Sequence, residues 1–117
     1  MSDRHNPVEP IWAATPEKIQ EAVRRIVETA HPVKVILFGS RARNEAAAQS
    51  DVDLLVVERE LPDRYAEMVR LNKVLRGLLL AVDLLVIGEE DFREWADTPG
   101  SVYYAAQREG RVLYEAA

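Results

Sequence analysis

Residues 33–57 read VKVILFGSRARNEAAAQSDVDLLVV, and this stretch decides the fold class. It begins and ends with apolar, β-branched runs, at residues 33–38 and 51–57, which are typical of buried strands. Between them Gly39-Ser40 ends the first run, and residues 41–48 are rich in helix formers. The stretch therefore predicts a strand, a tight glycine turn, a short helix that opens at the serine, and a second strand.

Outward from this stretch, helical and strand patterns alternate. Thr15-Pro16 is typical of a helix start, with Thr as the N-cap and Pro at the first helical position, and Pro32 predicts that this helix ends by His31. Further predicted elements are an amphipathic helix at 62–80, a strand at 81–87, a helix near Trp95, a helix at 99–109 capped by Gly110, and a strand at 111–114. The order predicts an α/β (α+β) fold with a small mixed β-sheet flanked by helices.

Length and composition indicate one ordinary domain. The chain has 117 residues, 48% of them hydrophobic, and 15 basic against 20 acidic residues leave a net charge of −5. We expect residues 1–14 to be a flexible leader and residues 15–117 to form a single domain. The acidic balance disfavours direct nucleic-acid binding over a broad basic face.

Several classes of protein are disfavoured. There is no cysteine, which excludes disulfides, thiolate metal sites and a cysteine nucleophile. The first ten residues lack the apolar core of a signal peptide, and the longest apolar run, 78–87, is shorter than a membrane span and contains Asp83. We expect a cytoplasmic protein with no membrane association.

Three aspartates form the candidate catalytic and metal-binding set. Asp51 and Asp53 are two residues apart on a predicted strand, so their side chains leave the same face about 6.6 Å apart. Residues 52–57 recur almost unchanged as 82–87, which places Asp83 at the same point of another strand. Clustered carboxylates without His or Cys favour Mg²⁺ or Mn²⁺, and three of them can hold two ions for nucleotidyl transfer. The third acid can also accept the acceptor's proton.

The turn before these acids supplies a candidate nucleotide-binding site. Gly39 permits close backbone approach, Ser40 offers a hydroxyl and a helix N-terminus, and Arg41 or Arg43 can neutralise phosphate charge. Together with the acids, these residues predict a nucleoside triphosphate site.

Each residue also has a simpler interpretation. An isolated Asp-x-Asp often caps a turn, Ser40 can serve only as an N-cap, and the arginines can be ordinary surface residues. Asp83 can be a satisfied polar residue in an apolar strand. The combination of turn, spacing and third acid favours the functional interpretation.

At these residues the chain resembles the minimal nucleotidyltransferases (MNT type) of the polymerase-β-like superfamily. The hallmark is Gly-Ser, ten residues, then Asp-x-Asp, and Gly39-Ser40 and Asp51-Val52-Asp53 match it in spacing and identity. Asp83 occupies the position of the third acid, and the resemblance extends loosely from Ile19 to Tyr114.

The resemblance implies an activity and a partner. Family members bind ATP or a related nucleotide with Mg²⁺ and transfer the nucleoside monophosphate to a hydroxyl. Many small members are antitoxins that neutralise a HEPN-domain ribonuclease toxin, in some systems by adenylylating a tyrosine. The chain has no room for the added helical region of aminoglycoside-modifying relatives, so the expected acceptor is a partner protein. The alternative is a non-catalytic antitoxin that inhibits its toxin by occlusion.

Overall fold

The computed structural model describes residues 13–39, 42 and 51–117, which contain four helices and four strands. In chain order these are α1 (Pro16–Ala30), β1 (Lys34–Phe38), β2 (Val52–Glu58), α2 (Arg64–Val74), β3 (Val82–Gly88), α3 (Glu89–Trp95), α4 (Val102–Glu109) and β4 (Arg111–Glu115). The short helix predicted after Gly39 lies outside the described residues.

The four strands form one mixed sheet in the order β3-β2-β1-β4. Strand β1 is antiparallel to both β2 and β4, whereas β2 and β3 run parallel and are connected through α2. A parallel pair requires a crossover connection, and α2 provides it. The prediction of a small mixed sheet flanked by helices is confirmed.

Helix α1 has the ends that the sequence predicts. The Thr15 side chain accepts a hydrogen bond of 3.2 Å from the Lys18 backbone N–H, and Pro16 occupies the first helical position. His31 ends the helix in the left-handed conformation with φ 48°. The residues that precede the Thr15 cap also pack against the core: Ala13 is buried, and Ala14 contacts the core.

Both faces of the sheet are covered, and β2 supplies core residues to each. On one face Leu54 and Val56 of β2 pack with residues of α1 and α2. On the other face Leu55 and Val57 pack with residues of α3 and α4. Within the described ranges, no helix is both long enough and apolar enough to cross a membrane.

Two predicted helices are shorter in the structure. The prediction of a helix at 62–80 is wrong at both ends. Helix α2 begins at Arg64, because Asp63 is its N-cap, and it ends at Val74. Beyond it, Gly77 and Leu79 adopt positive φ angles of 87° and 55° that a helix cannot contain. The last helix begins at Val102 instead of 99, because Ser101 caps it by accepting from the Tyr104 N–H at 3.0 Å.

Gly110 ends α4 as predicted, although with an extended backbone. A Cβ at this position would overlap the Ala106 carbonyl oxygen and lie 2.6 Å from Ile36 Cγ2. Glycine therefore allows the chain to pass directly against β1 as it enters β4.

Candidate functional site

The pairing of β2 with β3 places two of the predicted acids side by side. Asp53 and Asp83 are Cα partners in this parallel ladder, at the second residue of each strand. Because partners in register project from the same face of a sheet, with strands about 4.8 Å apart, both carboxylates lie at one point of the sheet surface. Asp53 is half-buried and Asp83 is exposed.

Asp51 precedes β2 by one residue and is exposed. The face that carries Asp53 also carries Leu55 and Val57 further along the strand, where α3 and α4 cover them. The acids therefore lie on the face packed by α3 and α4, at the ends where β2 and β3 begin.

Gly39 lies immediately beside the Asp53 carboxylate. It follows β1 with φ 76°, and its carbonyl accepts a 3.1 Å hydrogen bond from the Ala42 N–H. A Cβ at Gly39 would overlap Asp53 Oδ2 and lie 3.1 Å from Asp53 Cγ. Only glycine therefore satisfies both the left-handed backbone and the approach of this carboxylate.

The pKa of Asp53 is raised above its ordinary value. Burial is the main cause, followed by the negative charges of Asp83 and Asp51. The charges of Asp83 and Asp51 thus act on Asp53, as expected when carboxylates lie close together.

A divalent metal ion suits the chemistry of this donor set. Carboxylate oxygens without His or Cys are ligands for Mg²⁺. A cation among the acids would offset both the burial of the Asp53 charge and its repulsion from Asp83 and Asp51, the causes that raise the pKa of Asp53. Among residues 13–39, 42 and 51–117, no group of three or more His, Cys, Asp or Glu side chains is arranged as a ready-made metal cage.

The predicted phosphate-binding residues are only partly described. Gly39 is in place at the end of β1, whereas Ser40, Arg41 and Arg43 lie outside the described residues. Their predicted role as nucleotide ligands stays a prediction.

Two residues near the strands were missed by the sequence analysis. Phe38 is the β1 partner of Asp53, so the two side chains project from the same face of the sheet at neighbouring positions. Glu58, the last residue of β2, is buried, whereas glutamate side chains are usually exposed to water. The sequence contains an indication that Glu58 is buried, because this acidic residue directly follows the apolar run 54–57.

The described residues also form a cavity away from the acids. It has a volume of about 720 Å³ and lies where β2 and β3 end, with Arg59, Gly88, Trp95 and Tyr103 among its lining residues. The aspartates at the beginning of these strands do not line it.

Sequence comparisons connect the chain with known proteins. The sequence model of the nucleotidyltransferase domain family matches residues 16–112. Two proteins of Methanocaldococcus jannaschii are similar, and both have names that propose a protein adenylyltransferase. One is 48% identical over 48 residues, which are 41% of this chain and 31% of that protein. The other is 42% identical over 67 residues, 56% of this chain and 67% of that protein. The match thus spans about a third of one relative and two thirds of the other.

Solved structures have the same architecture. The crystal structure of a proposed nucleotidyltransferase from Sulfolobus solfataricus superposes with a TM-score of 0.60, at 20% identity, over 85% of this chain and 78% of that chain. At that identity the likeness concerns the fold alone. A structure described as a proposed minimal nucleotidyltransferase superposes with a TM-score of 0.56, at 32% identity, over 81% of this chain and 89% of that chain.

Proposed function

Because the chain belongs to the nucleotidyltransferase domain family, we propose that it is a Mg²⁺-dependent enzyme that transfers AMP from ATP to a hydroxyl of a partner protein. The observation that carries the proposal is the register of β2 and β3, which sets Asp53 beside Asp83 next to the close approach of Gly39. The names of the two similar M. jannaschii proteins support a protein as the acceptor.

The proposed reaction assigns a role to each acid. The acceptor oxygen attacks the α-phosphorus, the bond from that phosphorus to the bridging oxygen of the β-phosphate breaks, and pyrophosphate leaves. Asp83, the most exposed carboxylate of the in-register pair, accepts the proton of the acceptor hydroxyl. Gly39, Ser40 and an arginine, Arg41 or Arg43, hold the triphosphate.

Asp51, Asp53 and Asp83 would hold Mg²⁺, two ions in our proposal. The metal would supply charge neutralisation for the phosphates and lower the repulsion among the three acids. Because Asp53 is half-buried, the effective dielectric constant around its carboxylate is lower than in water, and its interaction with a cation is stronger.

For the partner, we propose a HEPN-domain ribonuclease toxin that the chain neutralises as an antitoxin. The support is the resemblance of the Gly39-Ser40 and Asp51-Val52-Asp53 motif to small MNT antitoxins. In this proposal, the protein binds the toxin in the cytoplasm and transfers AMP to it, and the two effects together neutralise the toxin.

The decisive experiment measures the intact mass of the neighbouring gene's product after co-expression with this protein. We expect the wild type to add the mass of one or more AMP groups to the partner. Asp53→Asn should abolish the adduct, because it removes a carboxylate that would hold the metal, and it should leave the circular dichroism spectrum unchanged. Chelation of divalent ions should abolish transfer by the wild-type protein in vitro.

Asp97→Asn is the matched control, since this exposed aspartate lies outside both strands and outside the group of three acids. It should keep full transfer. An unmodified partner that forms a stable complex with both the wild type and Asp53→Asn would overturn the transferase proposal in favour of an antitoxin that acts by occlusion.

A further inference from the structure

A second pair of acids lies at the opposite end of β2 from Asp53. Glu58 ends the strand on the face packed by α2, its side chain is buried with 8% of the residue exposed, and its Oε2 atom has no hydrogen-bond partner in the described structure. Glu67 of α2 lines the same pocket, and its carboxyl group acts on Glu58 as a hydrogen-bond partner that raises the pKa of Glu58. Two carboxyl groups bond to each other in this way only while they share a proton.

The pair connects three elements of the fold. The Arg70 guanidinium donates from Nε and Nη2 to the two oxygens of Glu67, both at 2.9 Å. Arg70 Nη1 also donates to the Thr29 carbonyl oxygen of α1, at 3.2 Å. A series of polar contacts therefore runs from β2 through α2 to α1, beside the apolar packing of these elements.

The remaining charged groups around Glu58 would not balance the additional negative charge that Glu58 acquires when it loses its proton. The pocket that Glu58 lines has a volume of about 370 Å³, and its other charged residues are Glu60, Asp63, Glu67 and Arg70. Asp63 is engaged as the N-cap of α2, where it accepts from the Ala66 N–H at 3.0 Å. From α1 the contact is the neutral Thr29 carbonyl oxygen, and Arg70 is already bound to Glu67. Arg70 is the one cation of the pocket, against four acids.

We propose that the Glu58–Glu67 pair is a proton-sensitive contact, which holds α2 against β2 while one proton is shared and loosens it as the pH rises. Loss of that proton leaves two carboxylates facing each other, one of them with a buried oxygen that lacks a donor. The proposal is independent of nucleotide transfer, since it concerns the other end and the other face of β2.

The pKa values of the two groups support this interpretation. Burial raises the pKa of Glu58 to about 8, and the hydrogen bond to Glu67 contributes in the same direction. The Arg70 guanidinium lowers the pKa of Glu67. A Glu58 side chain released into water returns to its ordinary pKa of 4.5. Between these values the packed state keeps a proton that the released state has lost, so rising pH favours release.

Hydrogen exchange of the α2 amides, corrected for the intrinsic pH dependence of exchange, tests the proposal between pH 6 and pH 8. The opening constant of α2 in the wild type should rise by up to about tenfold per pH unit and level off above pH 8. In Glu58→Gln the rise should disappear, because the amide stays neutral and still donates to Glu67. The amides of β4, at the other edge of the sheet, serve as an internal reference.

Glu60→Gln is the matched control, because Glu60 is an exposed acid that lines the same pocket. It should keep the wild-type rise. If Glu58→Gln fails to fold, Glu67→Gln provides the second variant, and it should reduce the rise because the released proton no longer leaves two charges in contact. A wild-type α2 whose corrected opening constant is flat from pH 6 to pH 8 would overturn the proposal, as would an unchanged rise in Glu58→Gln.

Discussion

At the scale of single residues, the candidate site depends on a close fit between Gly39 and Asp53. The glycine has both a positive φ angle and a carboxylate at the position of its missing side chain. Gly77 has a similar φ of 87°, but nothing lies within 4 Å of the position that its Cβ would occupy. Substitutions at these two glycines therefore distinguish the effect of backbone strain, which both share, from the effect of contact with Asp53, which only Gly39 has.

Gly39→Ala should inactivate nucleotide transfer, whereas Gly77→Ala should leave it intact. Both variants should lose about 1–2 kcal/mol of unfolding free energy through left-handed strain, and Gly39→Ala should lose more because Asp53 must move. Urea denaturation and AMP-transfer assays measure the two effects. Equal activity in the two variants would show that the position of Asp53 beside Gly39 does not matter for the reaction.

At the scale of elements, side-chain caps mark where α1, α2 and α4 begin. Thr15, Asp63 and Ser101 each accept a hydrogen bond from the backbone N–H three residues later. Four N–H groups at a helix start lack partners within the helix, and each cap satisfies one of them. The caps therefore determine helix boundaries more sharply than apolar periodicity does.

Thr15→Ala should lower the unfolding free energy by about 1 kcal/mol, because the Lys18 N–H loses its acceptor. Gln20→Ala, an exposed change within the same helix, should stay within about 0.5 kcal/mol of the wild type. Thermal unfolding followed by circular dichroism compares the two. A cap variant as stable as Gln20→Ala would mean that the start of α1 is held by tertiary contacts instead.

At the scale of the whole molecule, β2 joins two apolar layers. Leu54 and Leu55 are both fully buried, but they belong to opposite faces and to different helix layers. The same strand carries Asp53 at its beginning and Glu58 at its end. Stability and both proposed chemical sites therefore depend on the central position of β2.

Leu54→Ala and Leu55→Ala should each cost about 2–5 kcal/mol, because each leaves a cavity in a packed layer. Leu113→Ala, on edge strand β4 with 36% of the residue exposed, should cost clearly less. Denaturant titrations should show single transitions for all three. If Leu55→Ala costs no more than Leu113→Ala, the layer formed by α3 and α4 is not part of the cooperative core.

The sequence by itself determined the fold class, the strands, the start and end of α1, and the three acids as candidates, because strand periodicity, caps and motif spacing are local properties of the chain. It also indicated that residues 52–57 and 82–87 occupy equivalent places. The prediction from the sequence made α2 too long, because the amphipathic pattern continues past Val74, where the helix ends before the turn at Gly77.

Only the tertiary structure decided which side chains meet. Parallel register set Asp53 beside Asp83, and antiparallel register set Phe38 beside Asp53. Packing of α2 on β2 buried Glu58 against Glu67, two acids that the sequence separates by nine positions. The physical reason is that register and burial arise from long-range contacts, so neighbours and pKa shifts depend on how the elements pack and not on the order of residues alone.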